Sequence, residues 1–368
     1  MLIFKLFFMK KSFYFAMLTF AALFSFSSCS DDDNNGGGDD VTDPGCYIIN
    51  NGNWNGNDAS LQYYNLTTGM ASSPLCNEDI FVQQNGQILG DTGQDLLWID
   101  GKLFVSVSVS QKLEVLDESG KRVRPFYSFL TNMAYPRMMA TDGDKVYLTN
   151  YDGHVYVYDV ATADSVTTYS VGSYPEGVSY CDGYLVVNNS DYGACDGDAS
   201  ISIINLADGT VREVKDNVYN PGVQSVVCNG TVYVVDGGNY YDIAPSILAV
   251  SPREGTVTSL GIPATLLAAY EGSLYYVNAS WNYGTSAYDY SPLYCMDVVT
   301  GEINEFLSAN TMKNVNSLSV NPETGDIFIG YNGELGSLGC MRIFDADGVQ
   351  RGLFDVGYFT SGARFETK

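Results

Sequence analysis

A short structural unit repeats along most of this chain, and the repetition restricts its fold more than any other feature. The unit is clearest in residues 174–214, where turn residues separate four short apolar or alternating segments. Residues 184–188 are typical of a strand, because β-branched and aromatic residues fill them and the turn residues Asp182 and Gly183 precede them. Four antiparallel strands in about 40 residues is the size of one β-propeller blade.

One aromatic or aliphatic residue marks the second strand of this unit wherever the unit recurs. It stands at Tyr47, Phe104, Tyr147, Leu185, Tyr233, Tyr275 and Phe328. A single blade cannot bury both faces of its sheet, so such units must stack around an axis. The sequence therefore predicts an all-β, seven-bladed β-propeller with four antiparallel strands per blade; a β-sandwich is the alternative fold.

The two ends of the repeat region are complementary. The first unit begins at Tyr47 with no first strand ahead of it, whereas residues 362–365 form a strand-like segment after the last complete unit. We expect this C-terminal strand to complete the first blade and so close the ring. In the unit that follows Asp159, Ala163 stands where other units have a turn glycine, which leaves the register of that unit open.

The first 45 residues have the composition of an export and anchoring region. Residues 1–28, starting from Met1 or Met9, combine basic residues with a short apolar run and predict a lipoprotein signal peptide. The run ends at Phe26-Ser27-Ser28-Cys29, which resembles a bacterial lipobox, so Cys29 is the predicted lipidation site; simple cleavage near Ser28 is the alternative. Residues 29–45 predict a flexible acidic tether, and residues 46–368 predict the propeller.

Charge excludes one class of partner and suits an exported protein. Removing residues 1–28 deletes three lysines and no acid, so 15 basic residues face 43 acidic ones in the predicted mature chain. Such a surface repels phosphate backbones, and we expect no nucleic-acid partner. The acidic run after Cys29 resembles the signal that sends lipoproteins of Bacteroidota to the outer cell face. The predicted location is therefore the outer membrane, facing the exterior, with the membrane contacted only through the lipid anchor.

Propeller topology predicts which face carries the binding site. The loops between strands two and three emerge on the same face as the links between blades, and here these connections are long and aromatic. Exposed Trp and Tyr beside Asn and Gln suit a bulky ligand with apolar surface and hydrogen-bonding groups; alternatively, the aromatic residues pack together to order the loops. The predicted ligand-binding residues are Asn53, Trp54, Gln94, Arg137, Glu176, Tyr192, Tyr240, Tyr241, Trp281 and Tyr283.

Two stretches of the chain resemble a known family. Residues 50–64 and residues 85–94 look like hallmarks of the YncE-like surface lipoproteins of Bacteroidota, and the similarity covers residues 46–368. These proteins are seven-bladed propellers, and the family includes lipoproteins that capture vitamin B12 and hand it to a TonB-dependent transporter. The resemblance thus implies a corrinoid ligand and a transporter partner; a glycan or a protein partner is the alternative. The Trp and Tyr enrichment of the loops departs from commoner relatives.

The competing hypothesis is a metal-dependent propeller hydrolase. Such enzymes hold a metal near the axis with carboxylate and amide groups and often use histidine. This chain has one histidine, His154, in a turn sequence without a partner motif. Asp191, Asp196 and Asp198 could bind calcium, but their spacing falls short of an EF-hand loop. We therefore expect a binding protein with no catalytic residue, no metal and no cofactor.

Overall fold

The computed structural model of the chain describes residues 44–130, 134–194, 196–239, 241–334 and 336–367. These residues are almost entirely β-strand, with one helix of six residues. In chain order the first elements are β1 (Gly45–Asn50), β2 (Ser60–Asn65), α1 (Ile80–Asn85), β3 (Gly93–Ile99), β4 (Lys102–Val107), β5 (Lys112–Asp117), β6 (Tyr127–Ser128), β7 (Pro136–Thr141), β8 (Lys145–Asn150), β9 (His154–Asp159) and β10 (Ser165–Ser170). The predicted signal peptide, tether residues 29–43 and Cys29 lie outside the described residues.

The remaining strands continue the same four-strand pattern. They are β11 (Pro175–Cys181), β12 (Tyr184–Asn189), β13 (Ser200–Asn205), β14 (Val211–Val214), β15 (Pro221–Cys228), β16 (Thr231–Asp236), β17 (Ser246–Ser251), β18 (Thr256–Ser259), β19 (Leu266–Tyr270), β20 (Ser273–Val277), β21 (Ala279–Asn282), β22 (Ala287–Tyr290), β23 (Leu293–Asp297), β24 (Ile303–Leu307), β25 (Val315–Val320), β26 (Ile327–Tyr331), β27 (Gly339–Phe344), β28 (Gln350–Val356), β29 (Thr360–Arg364) and β30 (Glu366–Thr367). A single 3-10 turn covers Asp191–Gly193.

The strands form a seven-bladed β-propeller, which confirms the predicted fold. Blade 1 contains β29, β1 and β2, blade 2 contains β3 to β6, blade 3 contains β7 to β10, blade 4 contains β11 to β14, blade 5 contains β15 to β18, blade 6 contains β19, β20, β23 and β24, and blade 7 contains β25 to β28. In blade 1 an isolated bridge between Tyr64 and Ala71 stands in the place of a regular fourth strand. The seven marker residues found in the sequence all lie on second strands, as predicted.

The first strand of each blade lies innermost, beside the axis. Each inner strand contacts the inner strand of the next blade, and the contact from β29 to β3 closes the circle. The middle strands pack against neighbouring blades on both sides, so β2, for example, is buried along its whole length. Outer strands such as β10 are largely exposed. This burial gradient explains why second and third strands contain continuous apolar runs instead of a strict alternation.

The hydrophobic core is divided into clusters that lie mainly between blades. Between blades 1 and 2, for example, Tyr47, Phe81 and Trp98 pack with several leucines. The rings of Tyr47 and Trp98 meet edge to face with centroids 4.9 Å apart. Helix α1 belongs to this interface, since its N-cap Asp79 accepts hydrogen bonds from Val82 N and Leu61 N, each at 2.8 Å. The sequence analysis did not predict this helix in the link between the two blades.

The turn after the third strand is built alike in several blades. At Asn65 the side-chain oxygen accepts from the amides of Thr67 and Thr68, each at 2.9 Å, before the chain reverses. In blade 3 the same turn places Ala163 in the left-handed region at a φ of 56°, and Ala163 N donates to Asp159 O over 2.8 Å. The hairpin turn therefore forms without glycine, but the pairing of β9 with β10 shifts its register between Ser165 and Thr167, directly after the turn.

The C-terminal strand closes the ring as the sequence predicts. Strand β29 pairs antiparallel with β1, with Ile48 opposite Ala363. Arg364 then donates two hydrogen bonds to Asp95 Oδ1 on the inner strand of blade 2, at 2.8 and 3.0 Å. A two-residue strand, β30, adds parallel to β3. The C-terminal segment thus fastens blade 1 to blade 2 through backbone pairing and a partly buried ion pair.

Candidate functional site

The two ends of the propeller differ, and we name them by their connections. The loop face is the end where inner strands begin; it carries the connections between second and third strands and the links between blades. The turn face is the opposite end, where inner strands finish in short hairpin turns. All of the predicted ligand-binding residues that the structure describes lie at the loop face, on its connections or on the first residues of inner strands. Tyr240 lies outside the described residues.

A repeated backbone irregularity shapes the mouth of the axial channel at the loop face. Near the beginning of six of the seven inner strands the pairing register with the second strand shifts, as in a β-bulge. Gln94, Arg137 and Glu176 occupy these irregular positions in blades 2, 3 and 4. The residue after Glu176 must be glycine, because a Cβ at Gly177 would approach Asn188 Nδ2 to 2.5 Å. Sequence-distant residues are thereby brought together.

These three predicted residues form one polar network, which we call the mouth cluster together with Tyr151. Arg137 Nη1 donates to Gln94 Oε1 at 2.6 Å, and its Nε and Nη2 lie 2.8 and 2.6 Å from Glu176 Oε2. The other carboxylate oxygen of Glu176 accepts a hydrogen bond from the Tyr151 hydroxyl. Gln94 and Glu176 are buried. The charges of Arg137 and Glu176 therefore compensate each other within the cluster. Such an arrangement favours a structural role at the rim of the channel, with side chains already held in place, over the role of a free catalytic acid or base.

Tyrosine rings extend the mouth cluster toward solvent. The Arg137 guanidinium lies 4.7 Å from the centroid of the Tyr151 ring. Tyr151 in turn contacts Tyr135, Tyr174 and Tyr192, with centroid distances of 6.2, 5.4 and 6.0 Å. Burial raises the pKa of Tyr151, Arg137 lowers it and the charge of Glu176 raises it again, so this hydroxyl stays protonated and can donate. Tyr192 itself is 71% exposed at the edge of the group.

A second part of the predicted site lies on blade 1. Trp54 is 78% exposed at the tip of the connection between β1 and β2. The neighbouring Asn53 is held in place, because its backbone amide and its Nδ2 donate to the two carboxylate oxygens of Asp58, at 2.6 and 2.7 Å. The loop is thus ordered by Asn53 and Asp58, while the Trp54 side chain projects freely.

A third part lies on blades 5 and 6. Tyr241 is the most exposed aromatic residue of the described chain, at 92%, and Asn239 Oδ1 organises its loop by accepting from the amides of Tyr241, Asp242 and Ile243. In blade 6 the connection folds into the hairpin of β21 and β22. Trp281 and Tyr288 are cross-strand partners there, with ring centroids 5.2 Å apart, and Tyr283 is 89% exposed near the turn.

The predicted residues therefore form three separate groups on one face. The mouth cluster and its tyrosines are mutually packed, which agrees in part with the alternative that aromatic residues order the loops. Trp54, Tyr241 and Tyr283 have no ring contact with another aromatic residue among the described residues. Tyr151 and Tyr174 are contributors that the sequence analysis did not select, although each adjoins an asparagine or proline at a strand end.

The alternative catalytic residues have structural explanations. His154 is the first residue of β9, and its Nδ1 lies 3.0 Å from the backbone oxygen of Asp152. The ligand oxygens of Asp191, Asp196 and Asp198 lie within 4.8 Å of one another on a mostly exposed loop. Burial, followed by the hydrogen bond and charge of Asp196, raises the pKa of Asp191 to about 6. Lys215 lies 3.1 Å from Asp198 and offsets part of this charge.

A cavity lies at the end of the axial channel opposite the mouth cluster. It has a volume of about 1030 Å³ and opens at the turn face. A narrower cavity of about 210 Å³ continues it along the axis past Arg364. No helix within the described ranges is long and apolar enough to span a membrane.

Comparison with known proteins supports the fold. No protein-family model matches the sequence, and the search of curated proteins finds no match. A quinoprotein alcohol dehydrogenase-like protein from Bacteroides thetaiotaomicron is similar in structure, with a TM-score of 0.59 and 13% identity over 88% of this chain and 78% of that one. Hydrazine synthase from Kuenenia stuttgartiensis gives a TM-score of 0.53 and 15% identity over 69% and 77% of the two chains. The designed protein Ika8 gives 0.53 and 12% over 87% and 91%. Neighbours with such different roles at such low identity share the propeller fold with this chain, and the fold alone.

Proposed function

We propose that this chain is an exported, lipid-anchored binding protein whose loop face captures a bulky ligand for uptake. The observation that carries the proposal is the one-sided exposure of large aromatic side chains. Trp54, Tyr241 and Tyr283 are 78%, 92% and 89% exposed, and all project from the loop face. Trp and Tyr are enriched at interaction sites, so their exposure at one end of the propeller favours that end as the binding face.

The proposed ligand is a corrinoid, passed on to a TonB-dependent outer-membrane transporter. The resemblance to the YncE-like surface lipoproteins supports this choice. A corrinoid has a broad ring and many amide groups, and the loop face offers aromatic surface for the ring together with amide and hydroxyl groups for the side chains. The paired charges of the mouth cluster present a rim that need not reorganise when a ligand covers it.

The surroundings of the ionisable side chains favour a binding function over a catalytic one. At the mouth, Glu176 accepts from Arg137 and Tyr151, so it has no free oxygen to act as a base. Three of the described strand cysteines, Cys46, Cys181 and Cys228, are buried, and burial raises the pKa of each thiol, whereas Cys295 and Cys340 are half-buried. Within the described part of the chain these features favour ligand capture over nucleophilic chemistry.

Tryptophan fluorescence tests the proposal directly. Cyanocobalamin and a dicyano-corrinoid are titrated into the mature chain, with correction for inner-filter absorption. We expect saturable quenching, and we expect Trp54→Ala and Trp281→Ala each to weaken binding about tenfold, because aromatic anchors carry most of the binding energy of such surfaces. Leu353→Ala is the matched control, since Leu353 is 61% exposed on the outer strand β28.

The possible results separate the candidate ligands. Normal corrinoid binding by both tryptophan variants would contradict the loop-face site. Absence of corrinoid binding, combined with retention of the chain on a glycan array, would replace the corrinoid by a glycan and keep the face. Turnover of a substrate that a chelator abolishes would instead indicate the hydrolase alternative.

The proposed location at the outer membrane is tested separately. We expect protease added to whole cells to remove the protein, and we expect Cys29→Ala to release it from the membrane fraction. Full protection from protease would place the protein on the periplasmic side.

A further inference from the structure

The turn-face cavity is built from the inner strands of the propeller. Its walls come from the last residues of five inner strands: β3, β15, β19, β25 and β29. These strands are held on one side by the second strand of their own blade and on the other by the neighbouring blade. With a volume of about 1030 Å³, the cavity is at the upper end of the range for small-molecule sites.

The wall of this cavity is mainly apolar. Val226, Leu267, Ala269, Leu318, Val320 and Ala363 line it, and Trp98 forms part of its edge. Removing such surface from water gives about 25 cal/mol for each Å² that a ligand covers. The wall therefore favours an apolar ligand body of moderate size.

Negatively charged residues outnumber positively charged ones in the lining of the cavity. Arg364 is the cationic residue among the described lining residues, and Asp95 neutralises it at 2.8 Å. Glu323 also lines the cavity. Glu118 and Glu366 lie at its opening on the turn face, and neither forms an ion pair within the described part of the chain. The negative charges of both glutamates raise the pKa of Tyr47 beyond the effect of burial, which indicates that they lie near the same tyrosine.

Backbone pairing places one of these glutamates, Glu366, beside Trp98 at the edge of the cavity. In the parallel pairing of β30 with β3, Glu366 is the partner of Trp98. Tyr47, which packs edge to face against Trp98, donates its hydroxyl to the backbone oxygen of Glu118. Glu366 and the backbone of Glu118 thus lie beside the buried rings of Trp98 and Tyr47 at one side of the cavity opening, where the glutamate carboxylates suit a cation.

We propose that the turn-face cavity is a second binding site, separate from the loop face, for a small molecule with an apolar body and an ammonium group. The apolar part enters between β15, β19 and β25, and the ammonium group stays at the mouth with Glu118 and Glu366. This inference does not depend on the ligand of the loop face.

The three tryptophans of the chain allow the two sites to be observed separately. Trp98 borders the cavity, whereas Trp54 and Trp281 lie at the loop face. In the mature chain carrying Trp54→Phe and Trp281→Phe, Trp98 is the only indole fluorophore. Phenethylamine, 2-phenylethanol and 3-phenylpropionate are then titrated as probes that share the phenyl group and differ mainly in charge.

We expect phenethylamine to change Trp98 fluorescence saturably, and the alcohol and the acid to bind at least about tenfold more weakly. The double variant Glu118→Gln and Glu366→Gln should reduce amine affinity to that of the alcohol without changing thermal stability. Ala269→Phe should block all probes by filling the cavity. Glu302→Gln with Glu305→Gln, on blade 6, is the matched charge control and should leave binding unchanged.

Three results would overturn the proposal. They are absence of amine binding at millimolar concentration, equal binding of the three probes, and amine binding that the double glutamine variant leaves unchanged. The last criterion holds even where Ala269→Phe does not fold. Loop-face binding, followed through Trp54 and Trp281 in a Trp98→Phe variant, reports on the other site in the same chain.

Discussion

The loop face and the turn face belong to the same seven blades, but they are built in opposite ways. On the turn face, two-residue hairpins such as Asp182-Gly183 and Asn229-Gly230 have positive φ at both positions, as in type I′ turns. On the loop face, connections of nine or more residues carry the exposed aromatic side chains. The enclosed volume nevertheless lies at the turn face. Loop elaboration and cavity formation are therefore separate properties of this propeller.

The difference has a physical origin. Tight turns fix strand register, and the inner strands beneath them enclose a cavity whose walls are held by pairing within each blade and by packing between blades. Long loops cost little conformational entropy to extend, so they can acquire aromatic side chains without disturbing the blades. The turn face thus provides a cavity bounded by paired strands, and the loop face provides a surface of long loops that can vary in sequence.

Removing β29, which runs from the loop face to the turn-face cavity, should reduce the stability of the propeller more than any other change. Truncation after Tyr358 deletes β29, exposes an edge of β1 and removes Arg364. We expect loss of cooperative folding or a fall in Tm of at least about 10 °C, measured by circular dichroism. Truncation after Phe365 is the matched control, since it removes β30 alone; an equal loss in both would show that ring closure by β29 is not the cause.

Breaking the ion pair between the two cavities should give the next largest effect. Asp95→Ala leaves the Arg364 guanidinium without its partner in the channel, and removes the acceptor of Met139 N at 2.9 Å. We expect a loss of about 3 kcal/mol in the free energy of unfolding in urea. Lys102→Met, which breaks the exposed pair between Lys102 and Asp100, should have almost no effect. Similar losses in both variants would contradict a special role for the channel pair.

The mouth cluster tests whether the loop face has a rigid rim. Arg137→Met keeps the length of the side chain but leaves the buried Glu176 without its cation and Gln94 without its donor. We expect a loss of about 2 kcal/mol in urea unfolding and weaker loop-face binding. Arg351→Met, at the exposed pair with Asp345, should change neither quantity. Unchanged stability in Arg137→Met would mean that the rim is not preorganised by these contacts.

The acidic loop of blade 4 should give the smallest effect. The pKa of Asp191 is raised to about 6 from 3.8, so its contribution to stability is complete below pH 3.8 and is lost as the pH rises through 6. Asp191→Asn should therefore be more stable than the parent chain at pH 8, by a Tm difference of the order of 1 °C, and this advantage should disappear near pH 4.

A matched variant gives the opposite sign. The pKa of Asp208 is lowered, chiefly by the hydrogen bond from Thr210 N, so Asp208→Asn should lose stability relative to the parent at neutral pH and not at low pH. Thermal scans from pH 2 to pH 8 compare both variants with the parent chain, because the contribution of Asp208 is lost only as the pH falls below 3.8. A pH-independent difference for Asp191→Asn would show that its ionisation is not coupled to folding.

The blades could be predicted from sequence because their signals are local. Residues 184–188 alone are enough to predict a strand. The absence of a strand-like segment ahead of Tyr47 predicts that the first blade takes one strand from elsewhere in the chain. The mouth cluster could be predicted only in part. Gln94, Arg137 and Glu176 were selected because they lie in the links, but their contacts depend on β-bulges and on the Tyr151 ring.

The turn-face cavity could not be predicted, because no local pattern records an empty volume. Its wall combines Val226, Leu318 and Ala363, which are far apart in the chain and resemble ordinary strand residues. Its extent depends on how seven inner strands converge and on where β30 ends. Helix α1 was missed for a related reason: Asp79 caps it with help from Leu61 N in another element.

Pro44 and Gly45, the first described residues, line the edge of the turn-face cavity. A lipid on Cys29 would therefore hold the propeller by its turn face through 15 peptide units, counted from Cys29 to Pro44. A flexible chain of that length has a root-mean-square span of about 20 Å and a fully extended span of about 50 Å. If Cys29 carries a lipid, as we propose, a tether of this length would keep the propeller at a millimolar effective concentration near any partner in the same membrane. A docking contact with weak intrinsic affinity would then be sufficient, and the loop face would remain free to point away from the lipid.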